Sequence, residues 1–296
     1  MHPLYAESFS DIGEPLYLPR AKGWLIKRPI PNTPLFDAMG PYPLFFCKNW
    51  NCLIEDIESI KDQVCTVALV IGPFEDIPKE AFKHHFDIFR SYKDHYILDT
   101  TLPYCEIISK SHKREARKAL NKIKIDLQIS PNIDLDEWCF LYNTLIQHHH
   151  ITGIRAFSRN TLKNHITIPN THYYRALCHG EIIGGNLFYI QNEIAYYHLA
   201  CSTEKGYKLH ANYATLWSAI RDLSTKVHFI EFGGGAGAKE GILDGLSQFK
   251  KGWSSLTKKS FFLGKINDHQ EYWDLIKMNR ISDNNWFPAY RTGDYQ

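Results

Sequence analysis

Residues 173–201, YYRALCHGEIIGGNLFYIQNEIAYYHLAC, decide how this chain folds. Apolar and β-branched or aromatic side chains run through them continuously or at a period of two, the pattern of strands rather than helices. Two short polar breaks interrupt the run, His179-Gly180 and Gln191-Asn192. Two-residue connections between β-prone runs predict hairpins. Strands over 173–178, 181–190 and 193–201 therefore form a three-stranded antiparallel meander.

Downstream the period changes. Residues 210–224 carry Leu216, Ile220 and Leu223 at helical spacing. A strand over 227–232 follows, then the run Gly233, Gly234, Gly235, Ala236, Gly237, a helix ending near Phe249, a strand over 259–264 and a helix over 272–278. The order β-β-β-α-β-α-β sends an antiparallel meander through a helix into a strand parallel to its predecessor. It predicts a mixed sheet with flanking helices, an α+β fold. Upstream, CTVALVI (65–71) predicts a buried strand. Residues 77–92, with Ile77, Phe82, Phe86 and Phe89, predict a helix. A short strand is expected at 95–98 and helices over 105–125, over 134–148 and after Ser158, a good N-cap. The strand-helix alternation over about 60–130 suggests a degenerate first copy of the later unit. Two units in tandem are expected, 1–130 and 131–296. The Pro- and aromatic-rich start (Pro15, Pro19, Pro29, Pro31, Pro34) predicts irregular loops and short strands that wrap a core made elsewhere.

The chain has 296 residues and a formal net charge of +2, so an anionic partner has to be held by a local patch rather than by global charge. Seven cysteines are scattered without a CxxC pair, which argues against a zinc knuckle or a redox motif. No segment reads as a signal peptide or approaches the ~20 apolar residues of a membrane span. A reduced, cytoplasmic setting is expected, with no metal and no tightly bound cofactor.

Four segments could carry chemistry. Residues 109–119, SKSHKREARKA, place Lys110, Arg114 and Arg117 at i, i+4, i+7, with Lys113 close by. Such a face binds phosphate or carboxylate, and arginine does so bidentately; a solvated charged helix face would look the same. The glycines Gly233, Gly234 and Gly235 match a dinucleotide fingerprint only loosely, because no acidic ribose ligand follows about twenty residues on. They read better as a place where a substrate lies against main chain. Phe249-Lys250 ends a helix. A lysine there satisfies the helix dipole, or it points into a cleft and stabilises a phosphate or a developing oxyanion. Finally, AYYHLACS leads into EKGYK, with Lys205, Gly206 and Lys208 ahead of a helix. His148, His149 and His150 are adjacent, so on a helix they point apart and read as a solvated helix end rather than a metal tract.

The order of these pieces resembles the FemAB-type aminoacyltransferases, which are built on the GNAT (N-acetyltransferase-like) fold. The resemblance covers about residues 95–265 and rests on K-x-x-x-R-x-x-R-K-A, G-E-I-I-G-G-N-L, A-Y-Y-H, the helix with Asn212-Tyr213-Ala214, I-E-F-G-G and F-K-K-G. It implies GNAT-like units in tandem and an acyltransferase that moves an aminoacyl or acyl group onto a primary amine, in cell-wall or surface-polysaccharide precursor synthesis. The donor implied is aminoacyl-tRNA or acyl-coenzyme A, and the acceptor is an amine-bearing peptide, sugar or small molecule. tRNA is then a partner; DNA is not. The chain lacks the Q/R-x-x-G-x-G/A of coenzyme A-binding GNAT loops, which turns the expectation toward aminoacyl-tRNA. It also lacks the helical arm of some family members. Phe249 and Lys250 stand where the family's functional Phe-Lys pair stands. Lys113, Arg114, Arg117, Tyr197, Lys205, Asn212, Gly233, Gly234 and Gly235 are expected to bind donor or substrate. Attack requires the acceptor amine to lose a proton; Glu231 and His198, on neighbouring strands, are the candidate bases. Two alternatives stay open: an acyl-coenzyme A-dependent N-acetyltransferase acting on an amino sugar or metabolite, and a non-catalytic GNAT-like anion-binding module.

Overall fold

The computed structural model describes residues 2–236, 244–278, 281 and 286–292. Its strands are β1 (Glu14–Leu18), β2 (Gly23–Pro29), β3 (Phe36–Met39), β4 (Thr66–Ile71), β5 (Ile88–Asp99), β6 (Lys124–Ile129), β7 (Thr171–Cys178), β8 (Glu181–Gln191), β9 (Ile194–Ser202), β10 (Phe229–Gly233) and β11 (Leu256–Ile266). Its helices are α1 (Pro3–Glu7), α2 (Leu53–Ser59), α3 (Lys79–His85), α4 (Tyr104–Ile107), α5 (Lys110–Leu120), α6 (Leu135–His149), α7 (Arg159–Thr167), α8 (Glu204–Lys208), α9 (Ala211–Leu223), α10 (Gly245–Lys251) and α11 (His269–Met278).

Two compact units result, each assembled from separated segments. One takes residues 1–92, 152–164 and 259–296; the other takes 93–151 and 165–258. The sequence reading drew one boundary near residue 130, whereas the chain crosses between units four times, within β5, after α6, within α7 and within β11.

In the second unit the strands run in the order β5-β10-β9-β8-β7-β6. The meander is present as expected: β7, β8 and β9 are antiparallel neighbours, and β10 lies parallel to β9. His179 and Gly180, both at positive φ (54° and 81°), make the first tight turn. Adjacent residues of a strand face opposite ways, and β7 shows what each face meets. The Tyr173 ring meets Trp138 of α6 at 5.2 Å, while the Tyr174 hydroxyl donates to Asp222 of α9 at 2.6 Å. Helices thus cover both faces, the GNAT-like mixed α/β arrangement the strand order predicts. The core under α9 joins Phe188, Ala195, Leu216, Ile220, Ile230, Phe232 and Trp253. Irregular pairing marks two places. Residue 198 is the extra one in β9, between the pairs Leu187–Leu199 and Phe188–Tyr197. In β10, Phe232 is extra between Glu231, opposite Ile97, and Gly233, opposite Tyr96.

In the first unit the order is β1-β2-β3-β4-β11, antiparallel except for β3 beside β4. Two expectations change here. The proline-rich start builds a core of its own, in which Leu18, Leu25, Phe45, Trp50, Leu53 and Ile57 pack with Val67, Leu69 and Phe82. The helix expected over 77–92 ends at His85, and Phe89 belongs to β5, packed against Phe261 at 5.5 Å between ring centres. Four apolar residues at near-helical spacing carry no information on where a helix gives way to a strand whose side chains also need burial.

Candidate functional site

The end of β10, the glycines after it and α10 bring together much of what the sequence singled out. Glu231 is buried, and its Oε1 makes a very short contact with His95 Nδ1 from the neighbouring strand β5. Glu231 Oε2 is buried with no hydrogen-bond partner among the described residues. An unpaired carboxylate oxygen inside a protein is costly, so such an atom marks a place for a ligand proton. Alternation along β5 puts Lys93 on the same side as His95. Lys93 Nζ donates to the Gly235 carbonyl at 3.2 Å.

Lys250 closes the group from α10. It is only 8% exposed, and its Nζ donates to the Gly234 carbonyl at 2.6 Å. Burial brings the Lys250 pKa down to about 8, with Glu231 pulling the other way and Lys93 adding to the lowering. The 233–236 segment is therefore fastened at several points: Gly234 by Lys250, Gly235 by Lys93, and the Ala236 amide by the Asp244 carboxylate at 3.0 Å. Gly233 has φ +74°, and a Cβ on Gly235 would stand 2.2 Å from Ser247 Oγ. Side chains are excluded there for two different reasons, a left-handed backbone and a close approach. Gly237 lies outside the described residues.

Phe249, next to Lys250, is held from the basic helix. His112 of α5 contacts the Phe249 carbonyl through Nε2 at 2.9 Å and Ser109 Oγ through Nδ1 at 2.8 Å. Burial lowers the His112 pKa. The neutral ring then donates from Nε2 to the carbonyl and accepts the Ser109 hydroxyl at Nδ1. Tyr213, Trp253 and Phe249 enclose that ring at 4.9 to 5.5 Å between centres. Phe249 is thus a packing residue that sets the position of its neighbour.

The remaining candidates fall elsewhere. Lys113, Arg114 and Arg117 line an open basin between α5 and α9. Tyr197, on the α9 side of β9, donates to Asn212 at 3.0 Å. His198, the bulged residue, is mostly buried against His165 (3.3 Å between ring nitrogens) and Tyr189, and burial pushes its pKa down to about 3. A neutral imidazole among aromatic and imidazole rings is a poor match for a base in the Glu231 group. Lys205 is exposed and paired with Glu181 at 2.5 Å, and a Cβ on Gly206 would approach the Ile183 carbonyl to 2.0 Å. The glycine of that loop thus has a packing reason of its own. His148 stacks on the Tyr207 ring at 4.8 Å, and His149 Nε2 meets the Tyr207 hydroxyl at 3.2 Å. No group of three potential metal ligands gathers among the described residues.

His95 and Lys93 are the site residues that sequence reasoning missed. Their signal was the alternation Lys93-x-His95-x-Ile97, hidden because residues up to 92 read as helix.

The strand order, the bulged β9 and the parallel β10 define a protein of the GNAT-like fold. Among solved structures the chain is similar to FemX, with 12% identity over 93% of each chain and a TM-score of 0.65. It is similar also to the C-terminal domain of a candidate lysylphosphatidylglycerol synthetase from Agrobacterium fabrum, with 10% identity, 90% of this chain and 88% of that one covered, and a TM-score of 0.64. The L-PGS from Bacillus licheniformis follows, with 10% identity, 96% and 98% covered, and a TM-score of 0.59. No family profile matches the chain, and no curated protein matches it in sequence.

Proposed function

We propose that the chain is an acyltransferase that moves an aminoacyl group from an activated ester onto a primary amine. The observation that carries this reading is the buried Lys250, its pKa lowered to about 8, held on the glycine segment beside a carboxylate with one uncommitted oxygen. In the reaction the acceptor ammonium gives a proton to Glu231 Oε2, and its lone pair attacks the ester carbonyl. A C–N bond forms and the carbonyl oxygen takes the negative charge. As the tetrahedral adduct collapses the ester C–O bond breaks, and the surplus proton of the attacking nitrogen passes to the departing oxygen, which leaves as the donor's hydroxyl. Glu231 gives its proton up to solvent. Lys250 keeps one proton on the Gly234 carbonyl and has others to offer the oxyanion or a phosphate of the donor. Orientation supplies the rest of the rate.

An aminoacyl-tRNA donor fits better than acyl-coenzyme A, because Lys205 is committed to Glu181 and Gly206 to packing, which leaves the usual pyrophosphate loop unbuilt. The fold likeness to a candidate lysylphosphatidylglycerol synthetase, whose name denotes an aminoacyl lipid product, supports transfer of an aminoacyl group. The test is direct: purified protein, charged tRNAs and a panel of amine acceptors, with acetyl-coenzyme A as the competing donor. We expect transfer from aminoacyl-tRNA, lowered about 10²- to 10⁴-fold by Glu231→Gln, as for loss of a general base. Transfer only from acetyl-coenzyme A overturns the donor; full activity in Lys250→Met overturns the site.

A further inference from the structure

Six cations crowd one open basin of about 810 Å³ on the second unit: Lys110, Lys113, Arg114, Arg117 and Lys118 from α5, and Arg221 from α9. The basin is built on rigid elements. The opposite face of α5 buries His112, Ala116 and Ala119, and Arg221 stands one turn after Trp217, whose nearly buried ring forms part of the wall. Three of the cations have fixed neighbours. Lys113 Nζ donates to the Cys105 carbonyl at 2.6 Å, and Arg114 pairs with Glu115, which also takes Lys118. Lys110 and Arg117 have no partner among the described residues. The whole chain carries only +2, so this concentration of like charge is local, and its self-repulsion is relieved by an anion.

We propose that the basin is a binding site for a compact organic phosphate of the pyrophosphate type. Arg114, Arg117 and Arg221 offer planar forks that match phosphate oxygens two at a time. The cations come from only two neighbouring helices, a compact footprint for a small anion. The Trp217 wall gives a thin apolar strip for whatever the phosphate carries. The site lies on the outer face of the helix whose inner face, through His112, holds Phe249, so an occupant stiffens the helix that places Lys250. It deepens the proposed function by giving a phosphate-bearing substrate a second foothold, and it rests on that reading only for the identity of the carrier.

Calorimetric titration with inorganic pyrophosphate tests it without any transfer assay. We expect binding to the native protein that weakens with salt and becomes at least about tenfold weaker in Arg117→Gln/Arg221→Gln. Both residues are exposed, so the variant should melt like the native protein, and Lys277→Gln on α11 should bind as native does. A second arm sorts the source of the phosphate. Flotation with phosphatidylglycerol vesicles that pyrophosphate competes away assigns a lipid headgroup; no flotation assigns a soluble carrier. Absence of pyrophosphate binding at ~10 mM, or equal binding in the double variant, overturns the proposal. Binding without any acyl transfer would sink only the transfer reading, and transfer without binding would sink only this one.

Discussion

Lys250 sits at odds with ordinary lysine chemistry, and that conflict has a measurable sign. Its ammonium form is disfavoured by burial, so the folded chain releases the proton near pH 8 while the unfolded chain holds it to about 10.5. Below pH 8 both states are protonated and the burial penalty stands in full. Between the two values the unfolded state binds more protons, so stability rises with pH. Urea unfolding at pH 7 and pH 10 should therefore show the native protein gaining about 2–3 kcal/mol relative to Lys250→Met. A constant difference across that range would mean that Lys250 titrates as an exposed lysine does. Lys250, Glu231 and the glycines, singled out one by one in the sequence, lie together in the structure. It could not show that Lys250 is buried, because a lysine at a helix end is nearly always a solvated dipole partner. Nor could it pair Glu231 with His95, a contact between residues 136 apart in the chain.

At the level of elements, α5 and α10 form a clasp. Ser109 donates its amide to the Gly252 carbonyl at 3.0 Å, and His112 reaches the Phe249 carbonyl. Gly252 owes its identity to this clasp: a Cβ there would stand 2.2 to 2.6 Å from the His112 ring. Gly252→Ala should cost about 1–3 kcal/mol by overpacking, and most of that cost should disappear in a His112→Ala background. A double-mutant cycle read by thermal melting checks it; additive effects would mean that the alanine methyl meets something other than the ring. Residue 252 reads in sequence as a helix C-cap glycine. Yet its φ is −68°, ordinary right-handed backbone, and the requirement is steric. Strand assignments in the meander held because two-residue turns leave no slack. The reading over 77–92 failed because α3 and β5 share one run of aromatics, with only Phe86 and Asp87 between them.

Over the whole molecule none of the seven cysteines is in a disulfide, and their environments differ. Cys105 is exposed and Cys52 half-buried. Burial pushes the Cys47 and Cys65 thiols up to about 12, which keeps them protonated and unreactive near neutral pH. Iodoacetamide at pH 8 should label Cys105 first and Cys52 more slowly, with Cys47 and Cys65 modified only in urea. Peptide mass spectrometry reads the order, and rapid native labelling of Cys47 would contradict the burial described. The unit boundaries were the least legible feature at this scale, because hydrophobic periodicity reports which residues are buried and not which partner buries them.

The interleaved segments also set an order in time. β4 needs β11 as its neighbour, and Ile71 waits for Phe261, 190 residues further along the chain. On a ribosome the first unit therefore begins to emerge first yet closes last. The second unit has all its segments once residue 258 is out. The nascent chain thus carries the 66–71 strand, TVALVI, with its β11 edge unpaired through most of synthesis. That makes it the stretch a chaperone would be expected to shield, and the place where a stalled or shortened chain would start to aggregate.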